Sequence, residues 1–369
     1  MKIKLPENIA SVESYKPGKS INNVFEGLNL ERTAILSSNE NNFGPSPKAL
    51  EAMKKAMDRV NLYPEPRSVS LRIKLAKRLN TLPENLIIGN GSDGILSTIF
   101  KAFFSPGDEL ISSKGSFVAV NVMTKLNNIP YIQAEMLDGY KFDLDAIAEK
   151  INSKTKAIYL CNPNNPTGTI INQKTLDGFV KKVPENILII VDEAYSEFAN
   201  SLTDDFPDST KYNFPNLITL RTFSKAYGLA GVRLGYGIAH EEIVSTLLKV
   251  KLTFDPSIVA QEAGVGALDD EEFLQKTISN NLRGMSFYKE KFEEMGLKFI
   301  PSFGNFVMVD FGTEEIAGKV FEELLKRGVF VRPLKFFQLP HCLRISIGTP
   351  NECELLAEKL EEVIKLLKS

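Results

Sequence analysis

A chain of 369 residues exceeds what one ordinary hydrophobic core organises, so its length favours two domains or one large domain with a satellite. Its 44 basic and 46 acidic side chains leave a net charge of -2, which argues against a dedicated nucleic-acid surface and for small substrates. Cys161, Cys342 and Cys353 are scattered, form no CxxC pair and are joined by only two histidines (His240, His341), a set that argues against a zinc site and for reduced thiols in the cytosol.

Residues 1–45 are polar and irregular, carry no apolar run of signal-peptide type and close with SSNENNFGPSP. Pro45 and Pro47 interrupt the chain before the helical pattern KALEAMKKAM begins at Lys48. From about Asn85, strand and helix signals alternate. LIIG is followed by glycines and the apolar-faced helix GILSTIFKAFF, then come ELISS, KAIYLCN, ILIIVDEA, LITLRTFS and GYGIA. Continuous apolar runs of this kind are strands buried on both faces, and the alternation predicts a mostly parallel sheet between helices. ILIIV, at 187–191, is of strand length and too short to span a membrane. After Glu241 the pattern changes to the long amphipathic stretches EEIVSTLLKVKL and EEFLQKTISNNLRGMSFYKEKFEEMG. NFVMVDF, VFVRPL and LRISIG then read as strands around the helix EIAGKVFEELLKRG, and an amphipathic helix ends the chain. The expected layout is a large α/β domain over 41–265, a small α+β domain over 266–369, and a segment 1–40 packing with the latter.

In parallel sheets, ligands sit beyond the carboxyl ends of the strands, where the polar strings of this chain fall. GNGSDG (89–94) joins a strand to a helix, so its glycines and the first N–H groups of the helix can hold a phosphate, although such turns are commonly structural. CNPNNPTGT (161–169) is a rigid loop that presents Asn165 as a hydrogen-bonding group, beyond what a plain turn would need. ILIIVDEAY puts Asp192 at the tip of the most apolar strand, with Tyr195 close behind. A carboxylate there calls for a partner such as a cationic ring nitrogen, a capping role being the alternative. TLRTFSKAYGLAGVRLGYG (219–237) gathers Thr222, Ser224 and Arg233 around Lys225, a phosphate clamp beside an amine nucleophile. A solvated surface lysine would not explain surroundings so small and rich in glycine.

In this order and spacing, these strings together with SSNENNFGPSP resemble the class I and II aminotransferases, pyridoxal-phosphate (PLP) enzymes of fold type I. The likeness runs from about residue 15 to the end. YKPGK (15–19), the SNEN string and VFVRPLKFFQLPHCLRISIGT (329–349) are most similar to the histidinol-phosphate aminotransferases among them. The resemblance implies the PLP α/β fold, with a mostly parallel sheet in the large domain and a smaller α+β domain. It makes Lys225 the Schiff-base lysine and proton shuttle, Asp192 the partner of the pyridinium nitrogen, and Tyr195 and Asn165 donors to the ring oxygen. Phe117 would stack on the ring. Ser92, Asp93, Thr222, Ser224 and Arg233 would bind the cofactor phosphate, reached also by Tyr63 from a neighbouring subunit of a homodimer. Tyr15, Asn39, Asn165, Arg332 and Arg344 would meet the substrate, the two arginines gripping its phosphate or, in glutamate, its carboxylates. The chain departs from the family pattern at FDPS (254–257), where a Phe-Asn pair is common, and at the valine closing GSFVAV. Transamination between L-histidinol phosphate and 2-oxoglutarate in the cytosol is the implied activity, without metal, nucleic acid or membrane. An aromatic amino-acid aminotransferase and a threonine-phosphate decarboxylase are its rivals. A PLP-binding regulator ranks last, because Ser38 already opens the SNEN string and leaves no room for a DNA-binding domain.

Overall fold

The protein is described from a computed structural model covering residues 4–10, 27 and 30–368. Seven strands build the main sheet: β1 (Leu86–Gly89), β2 (Glu109–Ser113), β3 (Tyr131–Ala134), β4 (Thr155–Cys161), β5 (Leu188–Asp192), β6 (Leu217–Thr222) and β7 (Gly235–Ala239). Their order across the sheet is β1-β7-β6-β5-β4-β2-β3, parallel throughout except for β7, which is antiparallel to both neighbours. Alternate residues feed two different cores. On β1, Ile87 joins a cluster with Ile95, Ile99 and Ile158, whereas Leu86 and Ile88 join one with Leu71, Phe198 and Phe223. Helices therefore cover both faces, as continuous apolar strands require. β3 was not anticipated: YIQA is a half-buried edge strand and lacks the apolar run by which its neighbours are read.

The second sheet contains β8 (Lys298–Ile300), β9 (Phe306–Asp310), β10 (Arg332–Pro333) and β11 (Cys342–Ser346), all antiparallel in the order β8-β9-β11-β10. Helices Glu314–Lys326 and Pro350–Lys368 pack on it through Val320, Leu324, Leu356 and Leu360. Ala34–Ile35 pairs in parallel with Val329–Phe330, so the chain just before the SNEN string runs beside this sheet. The long polar-apolar stretch after Asp270 is one helix, Glu271–Glu294, with the Asp270 side chain accepting from the Phe273 N–H at its start. Leu274 near the front of that helix belongs to the core around Phe198, and Tyr288 near its end to the core of the second sheet.

Candidate active site

β4, β5 and β6 run parallel, so Cys161, Asp192 and Thr222 end side by side, with Cys161 opposite Asp192 and Asp192 opposite Leu220. Beyond these ends lies a cavity of about 410 Å³, walled on its far side by Arg332, Phe337 and Arg344 of the second sheet region.

At one end of the cavity the helix Gly91–Phe103 begins, and its N-cap residue, Asn90, makes no side-chain capping bond. Gly91 has φ +75°, and a Cβ there would stand 2.7 Å from Nη2 of Arg233. A Cβ on Gly235 would stand 2.5 Å from the Ser92 nitrogen, so both glycines are needed for strand, guanidinium and helix start to meet. Arg233, itself at φ +59°, donates from Nη1 to the Ala230 carbonyl at 2.9 Å and lies 3.8 Å from the Asp93 carboxylate. Thr222 donates to the Ser224 hydroxyl at 3.0 Å and accepts from the Ser224 N–H at 3.1 Å. Uncapped N–H groups, two hydroxyls and a guanidinium form an anion-binding cup.

In the middle stands Lys225. Burial, aided by the positive Arg344, pushes its amine down to about 8, and Nζ donates to the Ser38 carbonyl at 3.0 Å. Opposite, burial raises the Asp192 carboxyl to about 7. One of its oxygens accepts from the Tyr159 hydroxyl at 2.7 Å and the other from the Ala194 N–H at 3.2 Å; neither donor is a cation. Tyr195 accepts from the Asn39 amide at 2.9 Å, and burial holds its hydroxyl protonated far above the usual range. Phe117, the residue before helix Val118–Leu126, contributes to the wall.

At the other end, Arg344 donates to Asn165 Oδ1 at 2.5 Å and to the Ser37 carbonyl at 2.6 Å. Among the described residues its Nε, like that of Arg332, is buried without a hydrogen-bond partner. Burial lowers the Arg344 guanidinium to about 10, and Arg332 adds to the shift.

Ser92, Asp93, Phe117, Asn165, Asp192, Tyr195, Thr222, Ser224, Lys225 and Arg233 thus line one cavity, as do Asn39, Arg332 and Arg344. Both ends of the Asn39 amide are engaged, by Tyr195 and by the Ser346 hydroxyl, so this side chain braces the wall. Tyr63 stands away from the cavity of its own chain, 78% exposed and stacked on Phe254 at 4.2 Å. Phe254, the part of FDPS that keeps the family's Phe, is thus the residue that touches Tyr63. Tyr15 and the YKPGK string lie outside the described residues. Tyr159 and the Ser38 carbonyl had not been foreseen. Tyr159 meets Asp192 only through the pairing of their two strands, which no single string shows, and a backbone carbonyl leaves no side-chain signal. Elsewhere, Asp310, His341 and Cys342 place ligand-type atoms within 4.8 Å of one another, but the Tyr140 hydroxyl lies among them, 2.9 Å from Asp310 and 3.0 Å from His341, and the Lys298 amine is 2.6 Å from Asp310.

A family model described as aminotransferase class I and II matches residues 33–360. Histidinol-phosphate aminotransferase of Akkermansia muciniphila is 40% identical over 362 residues, covering 97% of this chain and 98% of that protein. The protein of the same name from Caldicellulosiruptor saccharolyticus is 41% identical over 361 residues, covering 97% and 99%. The crystal structure of histidinol-phosphate aminotransferase from Sinorhizobium meliloti in complex with pyridoxal-5'-phosphate superposes with a TM-score of 0.89 at 29% identity, covering 99% of this chain and 98% of that one. Aspartate aminotransferase from Thermus thermophilus with maleate has a TM-score of 0.85 at 23% identity, covering 98% and 100%, a likeness of fold.

Proposed function

The chain belongs to the class I and II aminotransferase family, and we propose that it transfers the amino group of L-histidinol phosphate to 2-oxoglutarate, using PLP and serving histidine biosynthesis. The observation that carries the substrate assignment is the pair Arg332 and Arg344, two cations facing one cavity whose buried Nε atoms have no partner among the described residues. Such a pair suits a doubly charged phosphate, and in the second half-reaction the carboxylates of the keto acid.

The residues fit PLP on three counts. The cup at Gly91 and Arg233 suits its phosphate, the Asp192 carboxylate is buried with no cationic partner among the described residues, and an amine of lowered pKa stands between them. When bound, PLP supplies an aldehyde for the amino group and a ring that takes up the electron pair freed at the donor carbon. Lys225, whose amine burial makes easier to deprotonate, would hold the aldehyde through Nζ and, once displaced by substrate, would carry a proton between substrate and cofactor. Asp192 would keep the proton on the ring nitrogen, Tyr195 and Asn165 would orient the ring oxygen, and Phe117 would lie against the ring. Ser92, Asp93, Thr222, Ser224 and Arg233 would hold the phosphate and so fix the ring in place. A second copy of the chain covers the exposed apolar surface around Tyr63, where Leu62 and Leu252 are 58% and 70% exposed, and brings Tyr63 to the phosphate. The residue ranges 41–265 and 266–369 are the large and the small domain, and the cytosol is the compartment. Among the described residues no helix is long and apolar enough to cross a membrane.

The test is a single-turnover absorbance titration of the PLP form with histidinol phosphate, phenylalanine and phosphothreonine. Conversion to the amine form by histidinol phosphate at far lower concentration than by phenylalanine supports the assignment. Preference for phenylalanine moves the enzyme to aromatic amino acids, and carbon dioxide released from phosphothreonine replaces transamination by decarboxylation.

A further inference from the structure

We propose that Tyr159 is a positioning residue for the cofactor: through Asp192 it keeps the carboxylate opposite the ring nitrogen charged. The inference rests on the proposed function, since it concerns what Asp192 presents to PLP.

The geometry follows from the parallel pairing of β4 with β5, in which Tyr159 stands opposite Ile190 and Cys161 opposite Asp192. Side chains two apart on a strand share a face, so Tyr159 lies one pleat behind the pair that ends at the cavity. The length of a phenol spans that pleat. Tyr159, fully buried, donates from its hydroxyl to Asp192 Oδ2 at 2.7 Å. The other carboxylate oxygen, Oδ1, accepts from the Ala194 N–H at a longer 3.2 Å.

The surroundings otherwise oppose charge on Asp192. It is 3% exposed, and the carboxylates of Asp93 and Glu193 add to the cost of ionising it. Arg221 offers no relief, because its guanidinium is spent on Glu193 at 2.7 Å and Asp208 at 2.8 Å. The Tyr159 hydroxyl is thus the short hydrogen bond that favours the anion, and a bond to an ionised acceptor is of the stronger kind. A second consequence concerns where the proton rests. Hydrogen bonding to Oδ2 makes the carboxylate less basic, so a proton shared with a ring nitrogen stays on the ring. Phenylalanine would fill the same volume and supply neither effect.

The experiment measures PLP affinity of cofactor-depleted protein and the pH midpoint of the bound chromophore in Tyr159→Phe, Asp192→Asn and the double variant. Tyr159→Phe should weaken PLP binding about tenfold or more, from the typical worth of a hydrogen bond to a charged group. It should also raise the pH midpoint, since a ring that loses positive charge makes the Lys225-linked nitrogen easier to protonate. In the Asp192→Asn background the same change should have little further effect on affinity or midpoint. Equal losses in both backgrounds, or an unmoved midpoint in Tyr159→Phe, would overturn the proposal. If Tyr159→Phe does not fold, Tyr159→Gln and Tyr159→Met, similar in length with and without a donor, give the same comparison. Failure of the unaltered protein to bind PLP would instead sink the proposed function, so the two failures are distinct.

Discussion

Arg332 and Arg344 are directly paired residues of the antiparallel strands β10 and β11, two cations set at a single cross-strand position. Like charges placed so are destabilising, and burial of Arg344 compounds the cost. An anion between the two arginines removes the repulsion. In the proposed reading, an anionic substrate would supply the charge that the fold itself lacks at this point.

Arg332→Ala should accordingly raise KM for histidinol phosphate by roughly tenfold or more, from the worth of a charge-assisted hydrogen bond, with a smaller change in kcat. The substrate-free variant should melt no lower than the unaltered protein, because a buried repulsion has gone. Steady-state kinetics and thermal unfolding check both; a lower melting temperature with unchanged KM would mean that Arg332 serves the fold alone.

The Lys225 amine yields a pH prediction. Burial lowers it from 10.5 to about 8, so its charge is a cost to the cofactor-free fold that is fully present below pH 8 and relieved as pH rises toward 10.5. Coupling of PLP to cofactor-depleted protein should quicken about tenfold per pH unit below that value and level off above it. Lys225→Ala should abolish borohydride-trapped PLP, and its stability advantage over the unaltered protein should be larger at pH 7 than at pH 10. Stopped-flow absorbance, mass spectrometry and thermal melts read these outcomes.

Gly235→Ala is expected to damage the phosphate cup while leaving Lys225 and Asp192 in place. The new Cβ would lie 2.5 Å from the Ser92 nitrogen and 2.6 Å from the Gly91 carbonyl carbon, so strand and helix start must separate. Overpacking of this kind costs about 1–3 kcal/mol, and part of it should appear as faster loss of PLP on dialysis. Unchanged retention would mean that the N–H groups of the helix do not reach the phosphate.

Tyr63 should act across a dimer. Tyr63→Phe should weaken PLP retention several-fold, about the worth of one hydrogen bond, and Tyr63→Ala mixed with Lys225→Ala should regain activity above either alone. Size-exclusion chromatography with light scattering and activity of the mixture are the measurements. A monomer, or a mixture no better than its parts, removes the shared site.

What could be read in the sequence was whatever depends on one stretch of chain. Lys225, Asp192, Asn165 and the GNGSDG turn sit where strands end, and the apolar runs before them mark those ends. Tyr159 escaped because its importance arises from register between two strands, which no single string contains. The Ser38 carbonyl escaped because every residue has one. β3 escaped for a different reason: an edge strand is covered on fewer sides, so YIQA need not be apolar. Tyr63 was read as a residue for another subunit, and in its own chain it lies outside the cavity, on an exposed aromatic stack.

The position of β7 bears on how the molecule is made. It comes last in the chain among the strands of its sheet but lies second in the sheet, between β1 and β6. A nascent chain that has emerged as far as Lys225 has the amine, yet Gly235 and the strand that carries it are still inside the ribosome. Until residues 235–239 insert, the facing edges of β1 and β6 have no partner between them and offer bare backbone to any other chain nearby. The strand that closes the sheet is thus also the one that sets Gly235 against the helix start of the anion-binding cup. The interval before closure is when those two edges are most open to association with other chains.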